Sequence, residues 1–220
     1  MYRLHSVPDW ASLAVHLVLA EAGLPFERIM LDPATGDLDT PAYRSLNPNG
    51  KVPTLETPDG PMFETGAILL YLAERHGLAP AAGDPARAAF LTWFVFTNVN
   101  VHAATVALLH PERTAGEAAA PEACRMAQLR LREALGRLET MVAAGPPSWA
   151  APGRPSVLTP YLAMLMRWAQ AFAWDPACAV RVAEFPALQA LAADWEMRPS
   201  ARTAAAAEGL SGRFLTEAAA

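Results

Sequence analysis

The stretch Asn47-Pro48-Asn49-Gly50-Lys51-Val52-Pro53-Thr54-Leu55, followed shortly by Met62-Phe63-Glu64-Thr65-Gly66-Ala67-Ile68-Leu69, decides how the rest of the chain is read. Pro48 and Asn49-Gly50 are turn formers that deliver the backbone into Val52-Pro53. Thr54-Leu55-Glu56-Thr57 then reads as extended until Pro58-Asp59-Gly60 turns it, and a second short strand ends at Glu64. Proline cannot donate a ladder hydrogen bond, so Pro53 at a strand start implies an edge, a bend or a cis bond, each of which frees the backbone groups of Val52. Thr65-Gly66 opens an apolar run closed by Arg75-His76-Gly77, with basic residues in the last turn and glycine as the stop. The start of that helix faces the same edge.

Working outward, Tyr2-Arg3-Leu4-His5-Ser6 fits a first strand and Val7-Pro8-Asp9-Trp10 breaks it. Positions 12–23 read as a helix stopped by Gly23, and 26–31 as a strand apolar enough to be interior. Positions 33–39 form a polar connection, and 41–46 a short helix. The order β-α-β-α-β-β-α predicts a thioredoxin-like layer over 1–77, with mixed strands and helices on both faces. Residues 78–83 have linker composition, and from Asp84-Pro85, a plausible helix cap, the period is helical throughout. The predicted fold is α+β, with an all-α domain over 84–220.

Positions 88–109 contain no Asp, Glu, Lys or Arg, a run long enough to raise a membrane span. Thr92, Thr97, Asn98, Asn100, His102 and Thr105 make it too polar for lipid. It reads instead as a central helix buried within the protein or within a dimer. Asn98, His102 and Thr105 fall at i, i+4 and i+7, a polar stripe suited either to a hydrogen-bonded core histidine or to a cleft wall. Leu131, Leu135, Leu138 and Val142 mark a packing helix. A Pro/Gly loop over 149–155 follows, before the next helix start at 156–162.

A chain of 220 residues can build one large or two small cores. Met1 to His5 runs straight into a strand-like segment, so no leader is expected. Cys124 and Cys178 read as ordinary thiols in a reducing compartment, which favours the cytoplasm. No metal-ligand spacing is present, and a net charge of −5 without basic runs argues against nucleic acid. Lys51 is the only lysine, either a solvated turn residue or a reach toward a ligand carboxylate.

The runs NPNGKVPTL and FETGAILLYLAERHG resemble the glutathione-binding half of the cytosolic glutathione S-transferases of bacterial, beta-class-like type. The resemblance implies that Val52, before a cis Pro53, pairs through its backbone with the cysteinyl part of glutathione, and that Glu64 and Thr65 hold the γ-glutamyl end. A helix N-terminus suits a free carboxylate, and Glu64 suits an ammonium. It also implies glutathione as co-substrate, a small hydrophobic electrophile as second substrate, a homodimer and a detoxification role. The family's S/T-x-x-D helix start, an N-capping box, is matched at Ser156 but carries Thr159 where Asp is expected. The Tyr, Ser or Cys that the family places at the first helix is missing, since Ala11 stands at the cysteine position. Ser12 is the first candidate for the thiolate donor and Ser6 the second, with Asp9 as a possible helix cap whose charge would oppose a thiolate. His102 matches a histidine that bacterial members place near the glutathione sulfur. Trp10, with Asn98 and Thr105, is a candidate for the second-substrate pocket. A protein of the same fold that binds ligands or partners without catalysis is the competing reading.

Overall fold

The computed structural model describes residues 1–218 apart from 152, 153 and 155. The expected loop over 149–155 therefore lies partly outside the described residues. The chain divides into two compact units, Met1–Leu78 with Arg198–Ser211, and Ala79–Met197 with the residues from Gly212 on. The sequence placed 198–211 in the all-α part. The segment instead packs with the first unit, where Arg198 and Ser200 both hydrogen-bond the Glu21 carboxylate.

In the first unit, β1 (Tyr2–Ser6), α1 (Ser12–Glu21), β2 (Phe26–Met30), α2 (Pro41–Leu46), β3 (Thr54–Thr57), β4 (Gly60–Phe63) and α3 (Thr65–His76) follow the predicted order. The four strands form one sheet in the order β2-β1-β3-β4, with β1 parallel to β2 and the other pairs antiparallel. Helix α1 is buried almost all round, from Ser12 through Leu19. It has no polar stripe, as expected of a helix covered by a sheet and by neighbouring helices. Strand β2 departs from the reading as interior: it is the edge strand and none of its residues is buried. Its charged Glu27 reaches across to Arg3 on β1, which suits an edge. Gly77, at φ 67°, stops α3.

The second unit is helical. Its first helix runs from Arg87 to Leu109 as α4 (Arg87–Phe96), a π-helical segment (Thr97–His102) and α5 (Ala103–Leu109). Then come α6 (Glu112–Ala115), α7 (Ala120–Ala143), α8 (Leu158–Ala171) and α9 (Pro186–Glu196), while α10 (Pro199–Ala207) belongs to the first unit. Leu131, Leu135, Leu138 and Val142 are all buried, as their spacing predicts. Ser156 accepts the Leu158 N–H at 3.3 Å. Thr159 lies beside a small apolar cavity with Leu138, Trp149 and Met166 rather than returning a cap.

The helix over 87–109 is long and apolar enough to cross a membrane by length and composition, and only 28 % of its most apolar stretch is buried in the single chain. Burial inside one chain, one of the two environments expected for it, is thus corrected. Val95, Val99 and Val106 on this helix are exposed, as are Met126 and Leu129 on α7.

Candidate glutathione site

In the β3–β4 ladder Thr54 stands opposite Phe63 and Leu55 opposite Met62. Continued by one residue, this register brings Pro53 beside Glu64, so the two halves of the deciding sequence meet at one sheet edge. The Val52–Pro53 peptide bond is cis. Pairing begins at Thr54, and Val52 stands outside the ladder.

This non-ladder backbone is held by a buried polar cluster. The Tyr43 hydroxyl donates to the Lys51 carbonyl at 2.6 Å, and Asn47 Nδ2 donates to the same oxygen at 2.7 Å. Both also meet Thr54 Oγ1, at 2.9 and 3.2 Å. Burial raises the Tyr43 phenol above its usual range, which keeps it a neutral donor. Val52, Tyr43 and Val7 form one buried cluster, which joins the edge to the loop that precedes α1. Gly50 takes φ 58°, and a side chain there would lie 2.5 Å from the Arg44 guanidinium carbon. The Lys51 side chain is exposed.

Glu64 is exposed and adopts φ 69°, ψ 115°, a region that L-residues avoid. Such strain costs about 1–3 kcal/mol and gathers at functional sites. Its carbonyl accepts the Ile68 N–H at 3.0 Å, while Thr65, the first residue of α3, is buried. The first N–H groups of α3 have no intrahelical acceptor, so they are available to an anion beside Glu64.

The loop from Val7 to Ala11 leads into α1 and gives a different result from the sequence reading. Ser12 is fully buried; its hydroxyl donates to the Val7 carbonyl at 3.0 Å and accepts the Val7 N–H at 3.3 Å. Ser6 is also fully buried, accepting from Arg28 Nε at 3.1 Å and donating to Met30 Sδ at 3.6 Å. Each hydroxyl closes an internal contact, which removes both as free donors to a sulfur. Asp9 is not the helix cap; that position is Ala11, without a side-chain hydrogen bond. Asp9 instead takes φ 57°, and its N–H donates to Glu208 Oε2 at 3.0 Å. Trp10 is exposed.

In the helical unit the π segment rotates the residues that follow it, so the i, i+4, i+7 stripe does not stay on one face. Thr105 is fully buried and donates to the Val101 carbonyl at 2.8 Å, which corrects its placement on a pocket wall. Asn98 is half-buried. His102 Nδ1 meets the Tyr161 hydroxyl at 2.7 Å, its ring edge-on to Tyr161 and Trp168. Burial depresses its pKa to about 4. It is therefore neutral near pH 7 and supplies no cation to a thiolate. Cys124 and Cys178 are free and buried, and burial pushes the Cys178 thiol up to about 11. No cluster of three or more His, Cys, Asp or Glu able to hold a metal lies among the described residues.

Five residues escaped the sequence reading: Tyr43, Asn47, Arg28, Glu208 and His16, whose Nδ1 lies 2.6 Å from Glu208 Oε1. Asn47 opens the deciding stretch, but the turn formers there are Pro48 and Asn49-Gly50, and a histidine at position 16 within the apolar run of α1 is the visible anomaly. Glu208 lies 199 positions from Asp9, beyond any local pattern.

Residues 1–74 match the family model for the N-terminal domain of glutathione S-transferases. Glutathione S-transferase GST-4.5 of Xanthomonas campestris is 37 % identical over 103 residues, which is 46 % of this chain and 50 % of that protein. Elongation factor 1-gamma of Prunus avium is 38 % identical over 107 residues, 48 % of this chain and 25 % of that protein. The matched stretch thus spans half or less of these curated relatives. A sphingomonad glutathione S-transferase solved in complex with glutathione superimposes with a TM-score of 0.74 at 32 % identity, covering 95 % of this chain and 100 % of that one. With the four-stranded sheet, the cis Val52–Pro53 edge and the strained Glu64 start of α3, this likeness along nearly the whole chain identifies the protein as a member of the glutathione S-transferase family.

Proposed function

We propose that the protein is a glutathione transferase that binds glutathione along the Val52–Thr65 edge and adds its thiolate to a small hydrophobic electrophile. The observation that carries this reading is the strained Glu64 beside the cis Val52–Pro53 segment. Val52 offers an N–H and a carbonyl outside the ladder, the pair a cysteinyl residue takes up as an added strand. Glu64 takes the γ-glutamyl ammonium, while Thr65 and the first N–H groups of α3 take the adjacent carboxylate. Lys51 is exposed at the same edge and suits the glycyl carboxylate.

A free thiol is mostly protonated at neutral pH, so the site must favour the thiolate. With Ser6 and Ser12 internally bonded, the backbone takes that role. Around α1 the N–H groups of Asp9, Trp10 and Leu13 are engaged by Glu208, Val7 and Trp10 respectively. Those of Ala11 and Ser12, at the positive end of α1, are the donors assigned to the sulfur. Trp10, exposed on the same loop, faces the electrophile. The uncovered valines of the 87–109 helix, with Met126 and Leu129, are the surface on which a second copy packs, making a cytoplasmic homodimer.

The buried serines also favour a second reading, a glutathione-binding protein without transferase chemistry. Calorimetry of glutathione binding from about pH 6 to 9, in buffers of different ionisation enthalpy, separates the two. Proton release on binding near neutrality supports the transferase. Binding without proton release supports the ligand-holding protein, and no binding refutes both.

A further inference from the structure

Glu208, just past the last residue of α10, has a carboxylate with no solvent exposure at all. Its Oε1 lies 2.6 Å from His16 Nδ1 on α1 and 3.5 Å from Arg28 Nη2 on β2. Its Oε2 accepts the backbone N–H of Asp9 at 3.0 Å. Arg28 completes the cluster by donating to the Ala207 carbonyl at 2.6 Å and to Ser6 Oγ at 3.1 Å. A buried carboxylate is costly unless several donors satisfy it, and three elements converge here to do so. One of those donors is not a side chain but the main chain of the residue at φ 57° in the loop ahead of α1.

That bond has a geometric consequence. A non-glycine residue in the left-handed region returns to an ordinary conformation unless its surroundings hold it. If Asp9 relaxed, the peptide planes after it would rotate, and with them the N–H groups of Ala11 and Ser12. Asp9 is held on one side by Glu208, and the loop on the other by the Trp10 N–H to the Val7 carbonyl at 3.2 Å. Val7 shares one buried cluster with Tyr43 and Val52, so the loop is registered to the glutathione edge at one end and to α10 at the other.

We infer that Glu208 is a positioning residue for the thiolate site, fixing through the Asp9 N–H the loop that aims the Ala11 and Ser12 N–H groups at the sulfur. This rests on the reading of the Val52–Thr65 edge as the glutathione site. It assigns a reactivity role to the segment after α10, remote in sequence from the edge. Affinity and reactivity are then set by different residues, because the Glu208 carboxylate is engaged by Asp9, His16 and Arg28, whereas affinity is assigned to Val52, Glu64 and Thr65.

The test compares Glu208→Ala, Glu208→Gln and the parent by three readouts: glutathione affinity, the titration of the bound thiol followed by thiolate ultraviolet absorbance, and kcat against KM with an aryl halide electrophile. Glu208→Ala is expected to raise the bound thiol's pKa by about one unit and to lower kcat about tenfold near neutrality, with glutathione affinity changed less than about threefold. Glu208→Gln keeps an oxygen for the Asp9 N–H and is expected to restore both to within about threefold of the parent. Should the alanine variant not fold, Glu208→Asp carries the same expectation, because it keeps the charge but withdraws the oxygen by one methylene. A folded Glu208→Ala or Glu208→Asp protein with an unchanged thiol titration and kcat overturns the inference, leaving Glu208 as a tether for α10. A parent protein that binds no glutathione, or binds it without a lowered thiol pKa, overturns the glutathione-site reading and the inference with it, and does so before any variant is made.

Discussion

Replacing Glu64 by glycine should make the protein more stable and the site weaker at once. The Glu64 side chain is exposed, so removing it costs little packing, whereas its backbone sits at φ 69°, ψ 115°. Relief of that strain is worth about 1–3 kcal/mol. The added freedom of glycine in the unfolded chain takes back about 0.4–1 kcal/mol. The net gain is about 1 kcal/mol, a rise of about 2–4 °C in the unfolding midpoint for a chain of this size. Loss of a charge-assisted bond to the γ-glutamyl ammonium, about 1.5–3 kcal/mol, weakens glutathione by about ten- to a hundredfold. Thermal unfolding by circular dichroism and calorimetric titration read the two quantities independently. Glu64→Ala is the control: it loses the carboxylate but keeps a Cβ at positive φ, so it should bind as weakly as the glycine variant while melting near the parent. A glycine variant that melts below the parent refutes the stored strain. One that binds glutathione as tightly as the parent refutes the assignment of Glu64 to the ligand.

Three further outcomes are expected. Ser12→Ala leaves the buried N–H and carbonyl of Val7 without their side-chain partner and should cost about 1–3 kcal/mol in denaturant unfolding, while the bound thiol's pKa stays where it is; a raised thiol pKa would restore Ser12 as the donor. Val99→Glu, at a position 60 % exposed in the single chain, should change the monomer's stability by no more than about 0.5 kcal/mol yet halve the mass seen by light scattering; a dimer that persists would exclude this face. His102 is held neutral down to about pH 4 in the fold, whereas in the unfolded chain it takes up a proton near its ordinary value of about 6.5. The unfolded state therefore binds more protons between those values, and stability falls as pH drops through that window, by about 3 kcal/mol at most. The His102→Asn variant should show a flatter profile over the same range, and equal slopes would show that His102 is not the source.

What could be read in advance was whatever local sequence determines. Turn formers, the X-Pro step, a glycine stop and apolar periodicity gave the elements of the first unit in order, and the edge between Val52 and Thr65 with them, because hairpin pairing is a short-range relation. Strand β2 was misjudged as interior, since apolar content reports burial only when the neighbour on each side is known, and the sheet order makes it an edge. The stripe Asn98, His102, Thr105 failed for a different reason. It assumed 3.6 residues per turn through a segment that is π-helical, and no residue there announces the change. Ser12 was placed correctly at the helix start but its hydroxyl direction was not, because Val7 competes for it five positions earlier. Most remote from any sequence signal was Glu208, which in a linear reading is an ordinary surface glutamate near a helix end.

On the proposed reading, the missing Tyr, Ser or Cys bears on reactivity more than on binding. Of the groups assigned to glutathione affinity, the Val52 segment is held by the buried cluster of Tyr43, Asn47 and Thr54, while Glu64 and Thr65 stand at the start of α3. In the proposed site, lowering the thiol's pKa rests instead on two backbone N–H groups and a helix end. A helix terminus contributes about 0.3–1 kcal/mol to a nearby exposed charge and up to about 2 in partly buried geometry. Together with two hydrogen bonds this supports a shift of one to two units, enough to bring a thiol of about 8.5 close to neutrality. Backbone donors offer no longer side chain to follow a misplaced sulfur. On the inference drawn for Glu208, their aim follows the loop conformation, and hence Asp9 and the buried carboxylate bonded to its N–H.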